Sequence, residues 1–160
     1  VSMQLIHAIN DLTATHTDLL MLSKQKTEAL TNNNLDAFQG LLVQERNLIR
    51  QLEKQEEKRQ EMSEAWNEEQ SHPAETLTIT EILKRLDGEE QKSLEKAAVA
   101  LTDTITALKR QEQLNKTLLE ESMKFVQLSM ELVNPTIQSM NYGAASSEKM
   151  SGRSLFDSKA

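Results

Sequence analysis

The sequence predicts an all-α fold, an elongated antiparallel bundle or coiled coil of three long helices plus one short helix, followed by a flexible C-terminal tail. Three observations carry this reading. Aromatic residues make up only 3% of the chain and hydrophobic residues 38%, with Leu, Glu, Gln, Lys, Thr and Ala prominent, a balance that favours thin helical packing over a globular centre. Apolar residues recur at helical spacing over long stretches. Clusters of Asn, Gly and Pro interrupt that spacing at only a few places, so 160 residues fit one elongated assembly rather than two domains.

The first helix is expected over about 3–30, where Leu5, Ile9, Leu12, Leu19, Leu22 and Leu30 alternate with Thr, Asp, Gln and Lys. Thr31-Asn32-Asn33-Asn34 then supplies side chains that compete for backbone hydrogen bonds and tolerate left-handed geometry. Asn34 is the expected cap of the next helix, with Asp36 in its first turn, and so short a turn makes the two helices antiparallel neighbours. Helix two, about 35–70, places Leu35, Phe38, Leu41, Leu42, Leu48, Ile49 and Leu52 on one stripe. Its stretch Glu53 to Glu61 is wholly charged or amide and reads as a solvated, ion-paired face before Met62 and Trp66.

Ser71-His72-Pro73-Ala74 breaks that helix. Thr78-Ile79-Thr80-Glu81 has the capping-box spacing and Leu77 and Ile82 that of a hydrophobic staple, predicting a short helix over 79–86. Its Ile79, Ile82, Leu83 and Leu86 are expected to cover Trp66 and the start of the last helix, and Asp87-Gly88 to end it. The last helix, about 89–133, is ~67 Å long at 1.5 Å per residue and carries Leu94, Ala98, Leu101, Ile105 and Leu108 on a heptad seam. From Leu108 to Leu114 the spacing is a residue short of a heptad, which predicts a phase slip and a new neighbour for Leu114, Leu118, Phe125, Leu128 and Leu132. Helix one, ~42 Å long, cannot flank the whole of it, so part of this stripe and the nearby Met123, Met130 and Met140 are left over.

Asn134-Pro135 should stop the helix, dividing the chain into a bundle over 1–134 and a tail over 135–160. With Ser, Gly, Asn and charge between its few apolar residues, the tail cannot bury enough surface alone to offset the entropy of ordering. Its anchors, Met140, Tyr142, Leu155 and Phe156, are suited to touching something else.

A formal charge of −7 with no basic face makes nucleic acid and anionic membrane poor partners. The absence of cysteine excludes disulfides and thiol chemistry and fits the cytoplasm. The longest apolar runs are too short for membrane insertion, and the start Val1-Ser2-Met3-Gln4-Leu5 lacks the basic region of a secretory leader. No catalytic constellation, metal site or cofactor motif is visible: His7, His16 and His72 lack ligand spacing, and Gly40, Gly88, Gly143 and Gly152 never cluster into a phosphate loop. The chain is therefore expected not to be an enzyme and to need no cofactor.

Three pieces resemble the FlgN family of flagellar type III export chaperones, in their Bacillus-type form: Gln44-Glu45-Arg46-Asn47-Leu48-Ile49-Arg50-Gln51-Leu52, Asn115-x-x-Leu118-Leu119-Glu120, and Pro135 followed by Asn141-Tyr142-Gly143. The ending Ser154-Leu155-Phe156-Asp157-Ser158-Lys159-Ala160 is similar to the ending of such proteins. The resemblance implies a cytoplasmic chaperone that binds and shields the hook-filament junction proteins FlgK and FlgL through its C-terminal region. It also implies that Tyr142 matches a family tyrosine that engages the export gate protein FlhA, although Ala145, Ser146 and Ser147 stand where a glycine is usual.

On this reading a partner helix lies along Leu118, Phe125, Leu128 and Leu132, with Met130, Met140, Leu155 and Phe156 also in the substrate-binding set. Four such side chains would give roughly 6 to 12 kcal/mol before ordering costs. The alternative is a structural coiled-coil adaptor without chaperone activity, a homodimer through the seams of helix two and the last helix.

Overall fold

A computed structural model of the chain describes residues 2–70 and 77–133. The elements run α1 (Ser2–Thr31), α2 (Leu35–Glu69), α3 (Ile79–Arg85) and α4 (Gly88–Val133), three long helices and one short one, with no strand among the described residues. The expected break at Ser71-His72-Pro73-Ala74 and the whole of the tail lie outside the described residues. The chain forms two compact units, Val1–Leu118 and Leu119–Ala160.

In the first unit, α1 closes in a Schellman motif. Asn33 takes φ 52°, its N–H donates to the Leu30 carbonyl at 3.2 Å, and the Asn34 N–H donates to the Ala29 carbonyl at 2.8 Å. Asn34 then caps α2, its side-chain oxygen accepting from the Ala37 N–H at 3.1 Å. Three asparagines thus end one helix and start the next, and α2 returns antiparallel along α1: Thr15 meets Gln55, and Lys26 meets Glu45.

The capping box at α3 is complete. The Thr78 hydroxyl accepts from the Glu81 N–H at 3.3 Å, and the Glu81 carboxylate accepts from the Thr78 N–H at 2.7 Å. That backbone hydrogen bond, helped by the Thr78 hydroxyl, holds the Glu81 carboxyl below its ordinary value. Gly88, at φ 59°, opens α4 in a conformation that costs glycine little, and Gln91 Nε2 donates back to the Leu83 carbonyl at 3.0 Å. Here lies the apolar core: Leu5, Ile9, Trp66, Ile82, Leu94 and Ala97, with Met62, Leu77, Ile79, Leu83 and Leu86 packed around it. The short helix covers Trp66 as its spacing predicts.

The bundle is centred on α1. Eleven of its positions are buried, Leu5 through Leu30, because α2 runs along one side and α4 along the other. The direction of α4 follows from its bonds: Ser2 pairs with Glu90 at one end, and Thr27 with Gln111 and Asn115 at the other, so α4 is parallel to α1. By contrast α2 buries only Trp66 and Asn67 fully. Leu35 and Ile49, placed on its seam by spacing, are 66% and 40% exposed.

Away from the apolar core the interior is polar. Lys26, 4% exposed, sets its Nζ 2.5 Å from Glu45 Oε2 on α2 and 3.0 Å from Glu112 Oε1 on α4. Burial opposes the ammonium charge, but hydrogen bonds and Coulomb attraction from the two carboxylates outweigh it and hold Lys26 above its ordinary value. One turn on, Asn115 donates to the Ser23 carbonyl and hydroxyl, both at 2.9 Å, and accepts from the Thr27 hydroxyl. Thr15 in turn donates to Gln55 Oε1 at 2.7 Å. The charged run of α2 is ion-paired as its pattern suggests: Arg59 grips Glu56 through two nitrogens, at 2.9 and 2.7 Å, and keeps that carboxyl below its ordinary value.

These polar layers correct the expected phase slip in α4. The inward row is Leu94, Leu101, Leu108, Asn115, an unbroken heptad that is buried at Leu94 and Asn115 and half-buried between them and whose last member is an amide, while Leu114 is 46% exposed. A hydrophobic scan moves to Leu114 because it cannot see that Asn115 is the residue facing α1.

Candidate partner-binding surface

A second row on α4, also at seven-residue intervals, is Ala97, Thr104, Gln111, Leu118, Phe125 and Leu132. It begins buried at Ala97, is half-buried at Leu118, and reaches 71% exposure at Phe125 and 76% at Leu132. α1 accompanies α4 only as far as the Thr27–Asn115 level and ends at Thr31. The row is polar at Thr104 and Gln111 and becomes apolar at Leu118, Phe125 and Leu132, past the last residues that α1 bonds.

Within the second unit, the described residues of α4 carry two apolar faces. At about 3.6 residues per turn, Phe125, Leu128 and Leu132 share one face, whereas Leu119, Met123, Val126 and Met130 share the face roughly opposite. Leu128, Met123, Val126 and Met130 are 55%, 50%, 57% and 62% exposed. One flank between the faces holds Glu120, Lys124 and Glu131, and the other Ser122 and Ser129. A segment apolar on opposite sides has more oil-like surface than one partner helix covers.

The helix therefore divides the residues singled out from sequence. Leu118 belongs to the first unit and is half-buried. Phe125, Leu128 and Leu132 lie together and exposed, while Met130 sits on the other face, roughly 140° from Phe125. Met140, Tyr142, Leu155 and Phe156 lie outside the described residues. Met123, named with Met130 from the sequence, and Val126, which was not, complete the Met130 face; Val126 was findable by its spacing of three residues from Met123 and four from Met130.

This surface suits binding of an amphipathic helix, with apolar side chains at i, i+3 and i+7 and no buried charge to desolvate. Among the described residues no helix is long and apolar enough to cross a membrane, and no three His, Asp or Glu side chains come together in a metal-holding group. His16 is half-buried and donates from Nδ1 to the Leu12 carbonyl at 2.7 Å, and His7 is exposed.

Residues 2–149 match the FlgN protein family. Over 159 residues the chain is 28% identical to the uncharacterized protein YvyG of Bacillus subtilis (strain 168), a likeness covering 98% of this chain and 97% of that protein. No solved structure matches it. The family match spans all four helices, including the exposed end of α4, and by it the chain belongs to the FlgN family of flagellar export chaperones.

Proposed function

We propose that the chain is a cytoplasmic chaperone of the hook-filament junction proteins FlgK and FlgL, which holds a terminal helix of either protein and delivers it to the export gate protein FlhA. Family membership supports the class of activity. The observation that carries the partner mode is the exposed row of Phe125, Leu128 and Leu132 at the end of α4. Segments destined to assemble as helices in a filament need their apolar faces shielded, and this row offers a complementary one. Burying three such side chains gives roughly 5 to 9 kcal/mol before ordering costs, enough for micromolar binding once part of that is lost. Leu155 and Phe156 of the tail belong to the same partner-binding set, and Tyr142 is the gate contact. Holding proceeds by binding alone and involves no bond chemistry.

The test is calorimetric titration of C-terminal segments of FlgK and FlgL into the full chain, into Phe125→Ala and Leu132→Ala variants, and into a chain ending at Asn134. Micromolar or tighter binding, weakened by the substitutions and by removal of the tail, is the expected result. Absence of binding to the full chain would return the coiled-coil adaptor as the better account.

A further inference from the structure

Over residues 119–132 the two apolar faces of α4 are joined into one arc. The sweep around the helix from Met123 and Met130 past Ser122 and Ser129 to Phe125 and Leu132 covers about 180° and crosses no charged side chain. We infer that this end of α4 packs against two helices of one partner chain, one on the Met130 face and one on the Phe125 face, which meet each other over Ser122 and Ser129. The inference rests on the proposed function and extends its geometry: the junction protein is held by a pair of helices, where a single terminal helix would cover only part of the arc.

The width of the arc sets the number of neighbours. A coiled-coil seam for one neighbour is narrower than the roughly 100° stripe of an ordinary core-facing helix, and this arc exceeds both. Three helices packed side by side have axes roughly 8 to 10 Å apart, so the two neighbours of α4 touch across the centre of its arc. Ser122 and Ser129 lie at that centre, a heptad apart, and no long or charged side chain of residues 119–132 stands between the two faces. Glu120, Lys124 and Glu131 are exposed on the reverse half.

Charge separates a partner from a second copy. Each edge of the arc is followed by a carboxylate, Glu121 beyond Leu132 and Glu120 beyond Met123, so partner helices with Lys or Arg on their outer edges complement both. Residues 119–132 hold Glu120, Glu121 and Glu131 against Lys124, a net of −2, and the whole chain carries −7, so a second copy would set like charges against each other. A second copy would also bring one such helix and leave part of the arc in water.

Area points the same way. Residues 119–132 are about 21 Å long, and half the circumference of a helix over that length is on the order of 300 Å². A stable association between separate chains buries about 800 Å² per partner. A second helix joined to the first has no such requirement, because once the first is bound a short tether gives the second an effective concentration in the millimolar range. The methionine side of the arc accepts either partner's helix because its side chains are unbranched and adaptable.

Calorimetric titration of the full chain with whole FlgK or FlgL, and separately with the C-terminal segment of each, tests the inference. Two paired variants are compared with the parent, Met123→Gln with Met130→Gln, and Phe125→Gln with Leu132→Gln. All four positions are at least 50% exposed, so circular dichroism should show helicity unchanged. The whole protein should bind at least tenfold more tightly than its segment and should lose at least tenfold with either pair, whereas the segment should be weakened by one pair only. Whole-protein binding unaltered by the methionine pair would overturn the inference, whether a second copy or the chain's own tail covers that face. A segment as tight as the whole protein, or one weakened by both pairs, would overturn it as well. Binding on the Phe125 face alone leaves the proposed function standing, whereas no binding of either probe removes the proposed function and this inference with it.

Discussion

Replacing Lys26 by Met should cost more stability than any surface lysine can. The side chain is 4% exposed and its ammonium bridges Glu45 and Glu112, one from each helix flanking α1. Met retains the length and apolar stem, so the cavity cost is small and the loss is electrostatic. Removing one member of a fully buried ion pair costs about 3 to 5 kcal/mol, because the remaining charge is stranded. Here the stranded carboxylates keep 22% and 43% of their side-chain surface in water, which relieves part of that cost. The expected loss is about 2 to 3 kcal/mol.

For a chain of this size that corresponds to a melting temperature lower by roughly 4 to 12 °C. Trp66, 3% exposed in the apolar core, reports unfolding in urea by fluorescence, and the slope of the transition should be unchanged. The triple variant Lys26→Met, Glu45→Gln, Glu112→Gln removes the repulsion and should regain at least half of the loss. A single variant within about 0.5 kcal/mol of the parent, or a triple variant less stable than the single one, would refute the reasoning.

The same clamp sets a pH dependence. The folded-state value of Lys26 is raised above its ordinary 10.5, so its contribution is complete below that pH and is lost as pH rises through the higher folded value; the Lys26→Met variant should lack this alkaline decline in urea titrations. Asn115→Leu should lower stability by about 1 to 3 kcal/mol, since the Ser23 hydroxyl and carbonyl lose their buried donor, and should do so with the core fluorescence of Trp66 unaltered in the native state. Thr78→Ala removes the α3 cap and should cost about 1 kcal/mol, read most clearly as faster amide exchange over 79–85. Phe125→Ala should leave thermal stability within about 0.5 kcal/mol of the parent, its ring being 71% exposed, while weakening junction-protein binding at least tenfold. Tyr142→Ala should preserve that binding and impair export in cells.

The parts of the fold legible in the sequence are those written in local chemistry. Asn33 and Asn34 at the first turn and the Thr78–Glu81 box are short-range signals that need no tertiary context, and both occur as their residue types suggest. What escaped was the placement of α1 between the other two long helices. Its apolar residues describe one stripe, but Ala8, Thr15, Ser23 and Lys26 widen the buried surface to a second side, and three of these carry no hydrophobic signal. Lys26 was identifiable only by register, four residues after Leu22 and four before Leu30. Glu45 and Asn115, the partners on α2 and α4, fall inside the segments that carry the family resemblance, so part of that resemblance is interior structure rather than binding surface.

That division bears on how a helical protein can keep apolar surface exposed. If the first unit were held by a continuous leucine seam, the seam would be indifferent to register, and exposed leucines further along α4 would compete for places in it. Polar layers remove that freedom. Lys26 satisfies two carboxylates and Asn115 satisfies Ser23 and Thr27 in only one alignment of α1, α2 and α4, and a shift by one turn leaves buried polar groups unpaired at about 1 to 3 kcal/mol each. With alignment fixed by hydrogen bonds, the row that continues through Phe125 and Leu132 is not needed to define the bundle and is free to meet another chain. On this argument Lys26→Met and Asn115→Leu together should broaden the native ensemble, detected as loss of amide-resonance dispersion, before they abolish helicity. Retention of a single well-dispersed spectrum in that double variant would mean that apolar packing alone sets the register.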